Sequence, residues 1–195
     1  MSSEIETPLV GLQASHGRPL AYRVSETVAL TELPDVGLAN LRLDPGSQAL
    51  RDAVRAGLGL DLPLRPNTVA QGTDAMALWL GPDEWLLRSD TSSGAALAVR
   101  VEQALAGQWF AVTDQSSGYS VVQLHGPEAA NVLNAGCPLD LHPRALAPGQ
   151  CAQSHFFKAG VLLRPLGDQG DAWELIVRRS FADYTVRMLM DAMQT

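Results

Sequence analysis

Gly118-Tyr119-Ser120-Val121-Val122-Gln123-Leu124-His125-Gly126-Pro127-Glu128-Ala129-Ala130-Asn131-Val132-Leu133-Asn134-Ala135-Gly136-Cys137-Pro138-Leu139-Asp140-Leu141-His142-Pro143-Arg144-Ala145-Leu146-Ala147-Pro148-Gly149-Gln150 places three local signals in succession. Residues 121–124 form a short β-branched run and predict a strand. Gly126-Pro127-Glu128 predicts a helix start, with Pro where the missing N–H costs nothing and an acid at the positive end of the dipole. Gly136 ends that helix, and a loop punctuated by Pro138, Pro143 and Pro148 leads to Gly149.

An earlier stretch repeats this plan. Leu41-Arg42-Leu43 alternates as a half-buried strand does. Asp44-Pro45 reads as an N-cap followed by Pro in the first helical turn. Leu50, Val54 and Leu58 recur every four residues and form one apolar face, which Gly57 and Gly59 close. The loop Leu62-Pro63-Leu64-Arg65-Pro66 corresponds to Leu139-Asp140-Leu141-His142-Pro143. Gly81-Pro82-Asp83 turns a hairpin that ends in Trp85, as Gly167-Asp168 precedes the strand bearing Trp173. Each half closes with a helix, one capped at Ser92 or Ser93 and one at Ser180 with Asp183 as the acid of a capping box. The two copies lie about eighty residues apart, the size of a small βαββ module.

The fold class is therefore α+β, built from two similar duplicated βαββ-type units. Residues 1–36 are expected to be a loop-rich N-terminal arm with at most one short element, because Ser15-His16-Gly17-Arg18-Pro19 and Leu33-Pro34-Asp35 break regular structure. Residues 37–110 form the first unit and 111–195 the second, and the two are expected to pack as one compact module because each is small to stand alone.

Composition narrows the function. The 195 residues carry a net charge of −7, with no basic cluster, which excludes nucleic-acid binding. No apolar run approaches the ~20 residues of a membrane span, and the polar first residues do not read as a signal peptide. Two cysteines without a secretory signal suggest free thiols in a reducing cytoplasm.

Cys137, His142, Cys151 and His155 are ligand types that suit zinc, but Cys137 and His142 are too far apart for a knuckle. The competing reading is two small buried thiols and two loop or strand histidines. Cys137 follows a helix end, where the dipole disfavours a thiolate nucleophile. Gly57-Leu58-Gly59 lacks the third glycine of a dinucleotide loop and ends a helix instead of opening one. No Walker loop and no Gly-x-Ser-x-Gly elbow occur. Trp85 and Trp173, at matching places, read as core. Arg178-Arg179 reads as a strand end that can meet a partner's acid. No catalytic, cofactor-binding or metal set emerges, which shifts the reading from enzyme toward subunit or binding module.

Longer motifs then point to a family. Pro66-Asn67-Thr68, Trp79-Leu80-Gly81-Pro82-Asp83-Glu84-Trp85-Leu86-Leu87 and Gly136-Cys137-Pro138-Leu139-Asp140-Leu141-His142-Pro143-Arg144 resemble the γ subunit of heterotetrameric sarcosine oxidase. So do Pro148-Gly149-Gln150-Cys151-Ala152-Gln153 and Arg179-Ser180-Phe181-Ala182-Asp183. The resemblance spans residues 38–192. It implies a fold related to the folate-binding domain of aminomethyltransferases, with Asp114, a Ser-Gly turn, a strand and Gly126-Pro127-Glu128-Ala129 as the shared pattern.

It also implies a non-catalytic γ subunit that supports assembly. The complex would oxidatively demethylate sarcosine to glycine and form hydrogen peroxide and methylenetetrahydrofolate. Its FAD, FMN, NAD and tetrahydrofolate would sit on α and β subunits and its zinc on δ, with α, β and δ as partners. The acidic pair with which aminomethyltransferases engage folate has no match in Ala159-Gly160-Val161-Leu162-Leu163-Arg164. Cys137, Asp140, His142, Arg144, Gly149, Gln150 and Arg179 are the expected structural or interfacial residues. The alternatives are a stand-alone folate- or pterin-binding module and a zinc-containing structural protein, and the isolated chain is allowed to self-associate.

Overall fold

The structure is a computed structural model that describes residues 7–12, 18–24 and 26–194. Part of the arm, including the turn-rich Ser15-His16-Gly17, lies outside the described residues. The strands are β1 Ala21–Arg23, β2 Ala29–Leu33, β3 Gly37–Leu43, β4 Val69–Gln71, β5 Met76–Gly81, β6 Glu84–Ser89, β7 Phe110–Asp114, β8 Tyr119–His125, β9 Ala152–Phe156, β10 Ala159–Pro165 and β11 Ala172–Arg178. The helices are α1 Gln48–Leu58, α2 Gly94–Ala104, α3 Ala129–Asn134 and α4 Arg179–Ala192, with short 3-10 turns at Val10–Leu12 and Ser116–Gly118.

Two compact units result, each an antiparallel sheet with two helices. One contains Asp35–Ser117 and Gly149–Cys151, with strand order β4-β5-β6-β3-β7. Its core joins Leu50, Val54 and Leu58 of α1 and Leu97 and Val101 of α2 to Leu41, Ala77, Trp85 and Leu87 on one sheet face. The other contains the described arm, Gly118–Pro148 and the chain from Ala152, with order β1-β2-β8-β11-β10-β9. There Val132, Leu133, Val186 and Leu189 of α3 and α4 pack on Val122, Leu124, Leu163, Trp173 and Leu175.

The duplication is borne out strand by strand. β3-α1-β4-β5-β6-α2 and β8-α3-β9-β10-β11-α4 follow one order. Trp85 pairs with Leu41, and Trp173 with Leu124. Both indoles are fully buried, and each N–H donates to a carbonyl, of Pro63 at 2.8 Å and of Gly170 at 2.9 Å. A buried indole needs such an acceptor, and a turn carbonyl supplies it in both copies.

The fifth strand of each sheet breaks the linear order. β2 precedes β3 in the chain but pairs with β8, and β7 precedes β8 but pairs with β3. The arm therefore supplies two strands, β1 and β2, where the sequence predicts at most one short element. Three predicted helix starts also shift. α1 begins at Gln48, capped by Ser47, because Asp44 accepts the Gly46 N–H at 2.8 Å in a local turn. α3 begins at Ala129, because Gly126 has φ 126° and donates to Asp171 O, while the Glu128 N–H donates to Thr27 O. α4 begins at Arg179 without a side-chain cap, because Asp183 binds Arg187 one turn on. The reading of Ser93 as the cap of α2 holds.

Candidate functional site

The loop after α3 is fastened residue by residue. The Cys137 N–H donates to Leu133 O at 2.9 Å, and Gly136 O accepts from Phe157 N–H at 2.9 Å. Asp140 Oδ1 accepts the His142 N–H at 2.9 Å, an Asx turn. His142 O accepts from the Ala145 and Leu146 amides. His142 Nδ1 accepts from the Arg144 backbone N–H at 3.2 Å and lies 3.4 Å from its Nε, so the ring proton belongs on Nε2. Leu141 and Leu146 insert into the core of this unit and anchor the loop.

These turns border an open cleft of about 600 Å³ lined by Asn131 and Asn134 of α3, Asp140, His142 and Pro143 of the loop, and Asp168 of the β10–β11 turn. Its walls offer amide, carboxylate and imidazole groups, which suit hydrogen bonding to a polar group. No nucleophile–base pair lines it. Cys137 is buried with its Sγ 3.7 Å from Ser154 Oγ, and His142 is engaged by Arg144.

The end of the motif belongs to the other unit's sheet. Gly149, at φ 83°, presents its carbonyl to Val69 N–H at 2.8 Å. Gln150 forms a bridge with Thr68, and the Cys151 N–H donates to Asn67 O at 3.0 Å. Cys151 Sγ lies 3.6 Å from Trp79 O. Among the described residues, no three His, Cys, Asp or Glu side chains gather as metal ligands, so the four zinc-type residues of the sequence are not brought together. Arg179 opens α4, away from the cleft's lining; its neighbour Arg178 lies over the Tyr119 ring, 5.5 Å from the centroid.

Sequence reasoning missed the buried polar row of the six-stranded sheet. Glu174, fully buried, accepts from Arg164 Nε at 2.7 Å and Gln123 Nε2 at 3.1 Å, and these three residues are direct cross-strand neighbours. A charge inside the apolar run Trp173-Glu174-Leu175-Ile176-Val177 was the available signal. Both Glu174 oxygens are thus engaged within the sheet. β10 itself carries no acid.

The chain is a two-unit α+β protein whose fold is similar to that of an aminomethyltransferase. The chain superposes on glycine cleavage system aminomethyltransferase T from Bartonella henselae with a TM-score of 0.59 at 16% identity, covering 83% of this chain and 45% of that one. The sarcosine oxidase, gamma subunit family matches residues 42–195. Sarcosine oxidase subunit gamma of Corynebacterium sp. (strain U-96) is 38% identical over 85% of this chain and 79% of its own length. That of Arthrobacter sp. is 39% identical over 85% and 80%. A chain of heterotetrameric sarcosine oxidase from Corynebacterium sp. U-96, in complex with pyrrole 2-carboxylate, matches with a TM-score of 0.82 at 34% identity, covering 97% of this chain and 94% of that one. The chain belongs to the sarcosine oxidase, gamma subunit family. No helix among the described residues is long and apolar enough to cross a membrane.

Proposed function

We propose that this chain is the non-catalytic γ subunit of a heterotetrameric sarcosine oxidase and supports assembly of that complex in the cytoplasm. The carrying observation is the near end-to-end match to a chain of such a heterotetramer. FAD, FMN, NAD and tetrahydrofolate belong on the α and β partners and zinc on δ. There the complex converts sarcosine to glycine, with hydrogen peroxide and methylenetetrahydrofolate as further products. The engaged Glu174, the acid-free β10 and the paired His142 support a chain without chemistry of its own.

The motif loop is then a feature for a partner to meet. Asp140, His142 and Arg144 form its turns, Cys137 and Gly149-Gln150 tie its ends, and Arg179 opens α4. Co-expression with the α, β and δ subunits tests this. The chain is expected to elute with a yellow, flavin-containing complex. Full yield and turnover of the complex without this chain, with the chain eluting apart, would overturn the reading.

A further inference from the structure

The two sheets differ in one place. In the six-stranded sheet, β8 is flanked by β2, and β2 is covered by β1. In the five-stranded sheet, β3 is flanked by β7, and among the described residues nothing pairs with the outer edge of β7. Register makes the two edges equivalent. Trp173 opposite Leu124 matches Trp85 opposite Leu41, so Leu30, which pairs with Leu124, corresponds to Val112, which pairs with Leu41.

Leu30 is fully buried, and arm residues Leu9 and Leu20 belong to its core. Its outward pair is Tyr22 of β1, next to the bond from Glu32 N–H to Leu20 O at 2.8 Å. Phe110 and Val112 are only partly buried, and Trp109, just before β7, is 94% exposed. The Gln115 N–H donates inward to Leu38 O. Bonds alternate along an antiparallel pair, so Phe110, Val112 and Asp114 turn their N–H and C=O groups outward.

We propose that a partner subunit of the complex adds an extended, antiparallel segment to β7, in the place that β1 holds on β2, with Trp109 as its anchor. This rests on the γ-subunit reading above. Main-chain bonds would supply pairing, and the indole and the uncovered Phe110 would take apolar side chains. Charge sets the rest of the partner's chemistry. Residues 101–118 include Glu102 and Asp114 and no Lys or Arg. Arg42, opposite Ala111 on β3, and Arg100, on α2, are engaged by Asp83 and Asp74. The complementary segment is therefore apolar and basic, whereas a second copy of this edge would repeat the acids.

The test uses the co-expressed heterotetramer. Trp109→Ala removes an exposed side chain, and Val112→Pro removes an outward N–H, at a place where an edge strand tolerates Pro, while trimming a partly buried side chain. Each is expected to weaken retention of the chain about tenfold or more. Hydrogen exchange of the β7 peptide should slow on assembly and stay fast in the partner-free chain. Wild-type retention of both variants, or no added protection at β7 in an intact complex, overturns the proposal while leaving the γ-subunit reading in place. A β7-dependent dimer of the isolated chain that persists in the complex would also overturn it. Failure of the unaltered chain to join any complex would instead count against the γ-subunit reading.

Discussion

Gly57→Ala puts a methyl where there is no room for one. Gly57 lies inside α1, and a Cβ built there would stand 2.5 Å from Ala104 Cβ at the end of α2. Carbon atoms rest at about 3.5–4.0 Å, so the helices must separate by more than an ångström. Overpacking of this kind costs ~1–3 kcal/mol. Helix propensity offsets up to about 1 kcal/mol of it, since Ala replaces Gly in the last turn of α1. The expected net loss is about 1 kcal/mol.

Ala104→Gly alone loses about 1 kcal/mol of propensity and about 0.8 kcal/mol of methyl burial. The double variant carries the methyl from α2 to α1: propensities cancel, the clash is gone, and stability returns close to the starting value. Independent effects would sum to a loss of ~3 kcal/mol, so the expected coupling is about 2–3 kcal/mol. Urea denaturation of the four proteins, followed by circular dichroism, measures it. A double variant whose loss equals the sum of the singles within about 0.5 kcal/mol would refute close α1–α2 contact as the reason for Gly57.

Three further outcomes follow from the same structure. Arg164→Ala leaves the fully buried Glu174 carboxylate without its cation and is expected to cost ~3 kcal/mol, measured by the urea midpoint, with Glu174→Ala, which strands only a partly exposed guanidinium, and Gln123→Ala smaller. Trp173→Phe and Trp85→Phe each remove one indole bond to a turn carbonyl and are expected to lose similar stability, about 1–3 kcal/mol; a loss confined to one copy would contradict their equivalence. The Asp74 carboxyl is held below its ordinary range, chiefly by its hydrogen bond with Arg100. Its folded-state pKa is depressed, so its stabilisation is present above the unfolded carboxyl pKa and is lost as pH falls through the folded value. Asp74→Asn should lower stability at neutral pH and flatten the acid limb of the pH–stability curve below about pH 4.

Much of the fold was legible because periodicity reports burial. The spacing of Leu50, Val54 and Leu58 placed α1, the turns at Gly81 and Gly167 placed both hairpins, and the matched Trp85 and Trp173 revealed the duplication. Helix starts were misread where a side chain or amide had a competing partner. Asp44 serves a turn, Glu128 donates its amide to Thr27, and Asp183 serves Arg187. Such choices depend on neighbours in space, which a local pattern does not contain. At the candidate site, the Asp140–His142–Arg144 run was visible as a motif, but the cleft was not, because Asn131 and Asp168 come from other elements.

The order of strands and helices after the arm, the duplication and the family were therefore legible in the sequence alone, since each rests on short-range pattern or on long motifs. Which sheet receives β2 and β7 was decided only in three dimensions. Either strand can extend next to the one that follows it in the chain, and short-range pattern does not distinguish that pairing from the observed one. The same holds for Glu174, whose charge is tolerable only because Arg164 and Gln123 stand opposite it in register. The outer edge of β7, unpaired among the described residues, also belongs to tertiary structure, because an edge is defined by what stands beside it in space.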